Sequence, residues 1–143
     1  MPFISVTRLH LRSVRFYPAF AISTFVSVRQ IRRASGFLGG YLAGDPGRGS
    51  WTVTVWEDDA AMMAFRNAGA HQRAMPKLLA WCDEASVAHW SQEGASVPGP
   101  ELAFERMRQH GRVSKVRFPS ARQQSGQVVG RGRPRVGLDL RRG

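Results

Sequence analysis

The chain has one cysteine, Cys82, in 143 residues, so it can form neither an intramolecular disulfide nor a cysteine-based zinc cluster. No apolar run approaches the ~18 residues a membrane-spanning helix needs. Acidic side chains are scarce, with 10 Asp and Glu against 21 Lys and Arg, giving a formal charge of +11. No internal repeat is present. No H-x-x-x-H or H-x-x-E-H pair is present to hold a metal, and no Ser/His/Asp set can be assembled. The Gly39-Gly40 pair lacks the G-x-G-x-x-G spacing and the strand-to-helix setting of a dinucleotide site. Collagen-like, coiled-coil and wholly disordered chains are excluded by composition.

The chain is 43% hydrophobic, with 8 Phe, 4 Trp and 2 Tyr. That suits one compact domain of roughly 100–120 residues followed by a tail. The charge is uneven. Residues 1–111 carry 12 basic and 9 acidic side chains; residues 112–143 carry 9 basic and 1 acidic. The last stretch is also rich in Gly, Pro, Ser and Gln, too polar to order itself by burial, so a boundary is expected near Ser120 with disorder after it.

Near the N-terminus, Arg8, Arg12 and Arg15 precede an apolar stretch, which superficially resembles a secretion signal. Phe3–Thr7 already reads as a strand, however. Phe16, Tyr17, Phe20, Ala21, Phe25 and Val28 fall at helical spacing, and Arg29, Arg32 and Arg33 follow where a cleavage site needs small neutral residues. A core-packing helix in a cytoplasmic protein is the expectation.

The pattern predicts a strand over residues 3–10 and a helix over 16–33, with Pro18 in its first turn and Gly36 closing it. A glycine-rich strand is expected over 36–45. After an Asp45–Gly49 turn comes a strand over 50–57, in which Trp51, Val53 and Val55 face one way and Thr52, Thr54 and Trp56 the other. Asp58 or Asp59 caps a second helix to about Asn67. Gly69 interrupts it, a helical piece containing Pro76 covers 70–81, and a fourth strand covers 84–91. The order β-α-β-β-α-β is the ferredoxin-like pattern: an α+β fold with a four-stranded antiparallel sheet and its helices on one face. Residues 1–93 form this domain. Residues 94–120 hold a linker, a C-terminal helix from Pro100 to His110 and a docking segment, and 121–143 are the basic disordered tail. A sheet with a Trp on both faces of one strand and helices on only one side leaves an apolar face bare, which predicts a homodimer packed sheet on sheet.

Three stretches carry a family likeness: Ser35-Gly36-Phe37-Leu38-Gly39-Gly40, Trp51-Thr52-Val53-Thr54-Val55-Trp56-Glu57-Asp58-Asp59-Ala60-Ala61-Met62, and Ala64-Phe65-Arg66. With them, residues 3–91 resemble the dimeric α+β barrel superfamily, in particular the antibiotic-biosynthesis-monooxygenase-like proteins and relatives of spheroidene monooxygenase. The resemblance implies a ligand pocket between the sheet and the helices of one subunit, lined by the Phe65–Pro76 segment. It implies cofactor-free or haem-dependent oxygen chemistry on an apolar, aromatic or polyene substrate. In the haem version His71 is the candidate iron ligand and Arg66 a propionate partner. In the cofactor-free version His71 and Asn67 polarise the substrate. Phe65, Trp56 and Trp90 are the candidate walls.

Other readings stay open. A non-catalytic ligand-binding or interaction module would share the fold. Arg131-Gly132-Arg133-Pro134-Arg135 resembles the core of an AT-hook, and Arg131, Arg133 and Arg135 suit weak, salt-sensitive DNA binding through the tail. His89 alternates with Trp90 and reads as structural; Cys82 reads as a buried, inert thiol. Val113, Val116 and Phe118 suggest that residues 111–120 fold back over the domain, placing Arg112, Lys115 or Arg117 near the pocket mouth, where an anionic ligand would suit them.

Overall fold

The structure, a computed structural model, describes residues 1–140. Strand β1 (Phe3–Leu11) leads through a 3-10 turn (Val14–Phe16), capped by the Ser13 side chain, into helix α1 (Tyr17–Ile31). β2 (Phe37–Gly44) and β3 (Gly49–Trp56) form the expected hairpin, followed by α2 (Asp59–Arg66), α3 (Gly69–Trp81) and β4 (Cys82–Ser91). After these come α4 (Pro100–His110), β5 (Arg112–Val113), α5 (Ala121–Gln124) and β6 (Arg135–Asp139).

Local chemistry sets several boundaries. The Asp58 carboxylate accepts the Ala61 N–H at 2.8 Å and starts α2. Gly69, at φ +58°, separates α2 from α3, a backbone conformation that L side chains rarely adopt. α3 runs on through Pro76, which removes one donor without ending the helix.

The sheet is entirely antiparallel, in the order β5-β4-β1-β3-β2-β6. Its inner four strands are the expected ferredoxin-like set. The expected four-stranded sheet is corrected to six, because the C-terminal segment adds a strand to each edge. The expected disorder after Ser120 is corrected for residues 121–140, and residues 141–143 lie outside the described chain. Single buried residues hold this segment down. Val116 packs with Leu11, Cys82 and Ala85. The buried Gln123 carboxamide accepts the Ala85 N–H and donates to the Ser114 carbonyl. Leu140, 1% exposed, plugs the core beside Trp56, and its N–H donates to the Gly40 carbonyl at 2.9 Å.

The two faces of the sheet are covered differently. α1, α2 and α3 cover one, called here the near face. On the far face, Ile4, Val6, Trp51, Val53, Val55 and Ala88 pack against Ala103 and Met107 of α4, with Val128 and Val129 alongside. Phe104 sits over Trp51 with ring centroids 6.2 Å apart. The bare apolar face that motivated the expectation of a sheet-on-sheet dimer is therefore covered within the chain, by α4.

A buried ion cluster closes the far face at one end. Asp45, whose side chain has no exposed surface, accepts from Arg8 Nε at 2.8 Å, from Trp51 Nε1 at 2.8 Å and from the Gly49 N–H at 2.8 Å. Arg8 Nη1 also donates to Glu84 at 2.7 Å. Burial alone would raise both carboxyls. The hydrogen bonds and the Arg8 charge outweigh it and hold both below their ordinary range.

Candidate functional site

A strand that packs fully against helices presents large apolar side chains to them. Over the middle of the sheet the near face does not. Strand register sets His89 of β4, Ser5 of β1 and Thr54 of β3 side by side in one row, and Val87, Thr7 and Thr52 in the next. These short or polar side chains floor a cavity of about 440 Å³ beneath α1, α2 and α3, within the usual range for small-ligand sites. On the β2 and α1 side its wall is apolar: Trp56, Val28, Ile31, Leu42, Met62 and Leu140. Trp56 is anchored by its Nε1 hydrogen bond to Thr54 Oγ1 at 2.9 Å and by Phe37 and Phe65, each 5.3 Å away between ring centroids.

His71 lines the cavity from the first turn of α3. Its position is fixed by a residue that no sequence motif singles out. Gln30 of α1 donates through Nε2 to the carbonyls of Phe65 (3.2 Å) and Ala68 (2.8 Å), while its Oε1 accepts the His71 N–H at 2.9 Å. One carboxamide thus ties the end of α2 to the start of α3 and satisfies a donor of α3's first turn. The Gly69 Cα lies close to this carboxamide; a Cβ there would sit 3.3 Å from it. His71 Nδ1 lies 3.4 Å from the Arg66 carbonyl. A carbonyl can only accept, so this contact puts the ring hydrogen on Nδ1 and leaves the Nε2 lone pair available. Burial, helped by the Arg66 charge, pushes the His71 pKa down and keeps the ring neutral near pH 7.

His89, read from sequence as structural, also lines the cavity, with Phe3 against its ring at 5.2 Å. Burial, then the charges of Arg112 and Arg66, lower its pKa as well. Trp90 must be corrected. It pairs with Ile4 on the far face, packs against the far-face core and carries Arg106 over its ring at 5.3 Å, so it is no wall of the cavity. Asn67 is likewise corrected as a catalytic candidate: it is exposed at the C-cap of α2 and does not line the cavity. Phe65, Arg66, Trp56 and His71 are brought together as expected.

The 111–120 segment does fold back. Arg112, Val113, Ser114, Lys115 and Val116 line the cavity at the β4 edge; Arg117 does not. Arg131-Gly132-Arg133-Pro134-Arg135 is laid along the domain. Gly132 packs on Pro46, Arg133 pairs with Glu101 at 3.3 Å, and Arg135 starts β6, so the segment does not have the free, extended form that groove binding would use.

Two other clusters are accounted for. His10 and Asp83 are paired at 2.6 Å beside Glu84, whose oxygens are taken by Arg8 and Ser120. Cys82 is buried, and burial together with the Asp83 charge pushes its thiol up to about 12, which leaves it inert. Among the described residues no helix is long and apolar enough to cross a membrane.

No protein-family profile and no curated protein sequence matches the chain. Solved structures do. Rv0793 from Mycobacterium tuberculosis superposes with a TM-score of 0.60 at 11% identity, over 67% of this chain and 99% of that one. SnoaB from Streptomyces nogalater, a cofactor-independent oxygenase solved as a point mutant, gives 0.54 at 14% identity, over 66% and 95%. A third structure, an antibiotic biosynthesis monooxygenase, gives 0.57 at 14%, over 64% and 99%. Likeness at this level of identity carries the fold and not the activity: the chain has the fold of the antibiotic-biosynthesis-monooxygenase-like proteins, extended at its C-terminus.

Proposed function

We propose that the cavity binds a small aromatic or polyene substrate and that His71 serves there as the base that opens it to oxidation by molecular oxygen. The observation that carries this reading is the His71 imidazole, its ring against the Arg66 carbonyl and its backbone N–H held by Gln30, at the wall of a cavity with an aromatic side and a hydroxyl-lined floor. The likeness to SnoaB, described as a cofactor-independent oxygenase, agrees with it. In the reaction so proposed, His71 Nε2 accepts a proton from a methylene made acidic by neighbouring aromatic rings or a carbonyl. The electron-rich anion is then itself the reductant of oxygen. The balance is CH2 + O2 → C=O + H2O, with one oxygen atom kept by the substrate, and the proton held by His71 returns to the departing oxygen.

A second reading is haem binding. A histidine whose Nδ1–H meets a backbone carbonyl is a common form of iron or zinc ligand. His71 has that arrangement, and Arg66 and Arg112 are available for propionates. When bound, haem would supply oxygen activation at its iron. The chain's own contribution would be a neutral, oriented imidazole and two guanidinium groups.

Oxygen uptake with anthrone, an aromatic ketone with one activated methylene, tests the first reading. One O2 consumed per anthrone, lost in His71→Ala with the melting temperature retained, is the expected result. Uptake that survives in the variant removes His71 from the role. Anthrone that raises the melting temperature of the native protein without uptake means a binding module and no oxygenase. Haemin titration in parallel, saturating at one equivalent only when His71 is present, would establish the second reading instead.

A further inference from the structure

The cavity's two sides differ in charge as well as in polarity. Its β2 side is apolar, whereas three cationic side chains line it elsewhere: Arg66 at the end of α2, Arg112 in β5 and Lys115 just beyond. Among the described residues no Asp or Glu lines it. Neither Arg66 nor Arg112 has an ion pair among the described residues, in contrast to Arg8, which Asp45 and Glu84 hold. Burial lowers the pKa of His89, and the charges of Arg112 and Arg66 both add to that effect. Arg66 is half-buried and Arg112 sits exposed at the rim, so the cationic edge reaches from inside the cavity to its mouth.

We infer that this cavity takes an anionic amphiphile, an aromatic or polyene body carrying a carboxylate, and that Arg66 and Arg112 hold the carboxylate at the β4 edge while the body lies against Trp56. A carboxylate carried into an apolar cavity is costly unless it is paired and hydrogen-bonded, and guanidinium groups match its two oxygens in a planar fork. Two such groups, left without protein carboxylates, meet that need. Ser5, Thr7 and Thr52 lie on the floor between this edge and the apolar wall, where they suit hydroxyl or carbonyl groups partway along the ligand. Arg112 and Lys115 follow the βαββαβ unit in the chain, so half of the anion site comes from the C-terminal extension. The inference deepens the oxygenase reading and rests on it for the site; it specifies what the substrate carries besides its oxidisable centre.

The test compares 2-naphthoate with its neutral counterpart, 2-naphthamide, by calorimetric titration of the full chain at low salt, with Arg112→Gln, Arg66→Gln and the double variant. The expected result is tighter binding of the naphthoate by at least about tenfold, a preference reduced in each single variant and abolished in the double, with the naphthamide affinity unchanged throughout. Arg112 is exposed at the rim, so its variant keeps the fold even if Arg66→Gln does not. Equal affinities in the native protein, or a preference that survives in Arg112→Gln at full strength, overturns the inference. Absence of binding by either probe overturns both it and the reading of the cavity as a ligand site. A clear preference for naphthoate without oxygen uptake on any ring substrate leaves the anion site standing and removes only the oxygenase.

Discussion

The two faces of one sheet are built from alternate residues of the same strands, yet they are opposites. In β1, Ile4 and Val6 point to the far face and are wholly buried, while Ser5 and Thr7 point to the near face and floor a cavity. In β3, Val53 and Val55 go one way, Thr52 and Thr54 the other. The far face is filled by apolar side chains and closed by α4 and by an ion cluster whose hydrogen bonds are satisfied. The near face keeps space, hydroxyls, two neutral imidazoles and unmatched cations. Stability resides mainly on one face and binding on the other.

The sharpest way to break that division is on the far face. Arg8→Leu leaves the Asp45 and Glu84 carboxylates buried without their cation, and a loss of about 3–5 kcal/mol in chemical denaturation is expected. Met107→Ala removes a side chain with no exposed surface from the α4 contact and should cost about 2–5 kcal/mol. Gln30→Ala acts at the near face and is milder. It should cost roughly 1 kcal/mol of stability yet lower turnover more than His71's unchanged chemistry would suggest, because the α2–α3 junction loses its tie.

The faces also separate in pH. His71 and His89 have folded-state pKa values below the unfolded value of about 6.5, so the folded state binds fewer protons there. Their contribution is present above that pH and is lost as the pH falls below it. Asp45 and Glu84 are depressed from about 4, so their contribution persists until the pH falls through that lower range. Melting temperature against pH should therefore fall in two stages, and His71→Gln with His89→Gln should flatten only the upper one.

Much of this is legible in the chain, and what is not has physical reasons. The β-α-β-β-α-β order, the Asp58 cap and the Gly69 break follow from local propensity and periodicity. The placing of Phe65, Arg66 and His71 on one pocket-lining segment is what the family resemblance implies. Alternation separates Trp90 from His89, but which parity faces the helices is set by register against Ser5 and Thr54, a long-range fact. Gln30 escapes a sequence reading because its three hydrogen bonds reach 35 to 41 residues along the chain. The stretch after Ser120 reads as disordered because its anchors, Gln123 and Leu140, are single residues in polar surroundings, and an average over composition cannot register them.

Whether the near face holds usable space is decided most directly by filling it. Thr7 stands in the middle of the floor between Val87 and Thr52. In a Thr7→Leu variant an open cavity accommodates the larger side chain, so the melting temperature should hold or rise while 2-naphthoate binding disappears. A fall in stability of about 1–3 kcal/mol, the cost of overpacking an interior that is already full, would show that the near face is core and contradict the account.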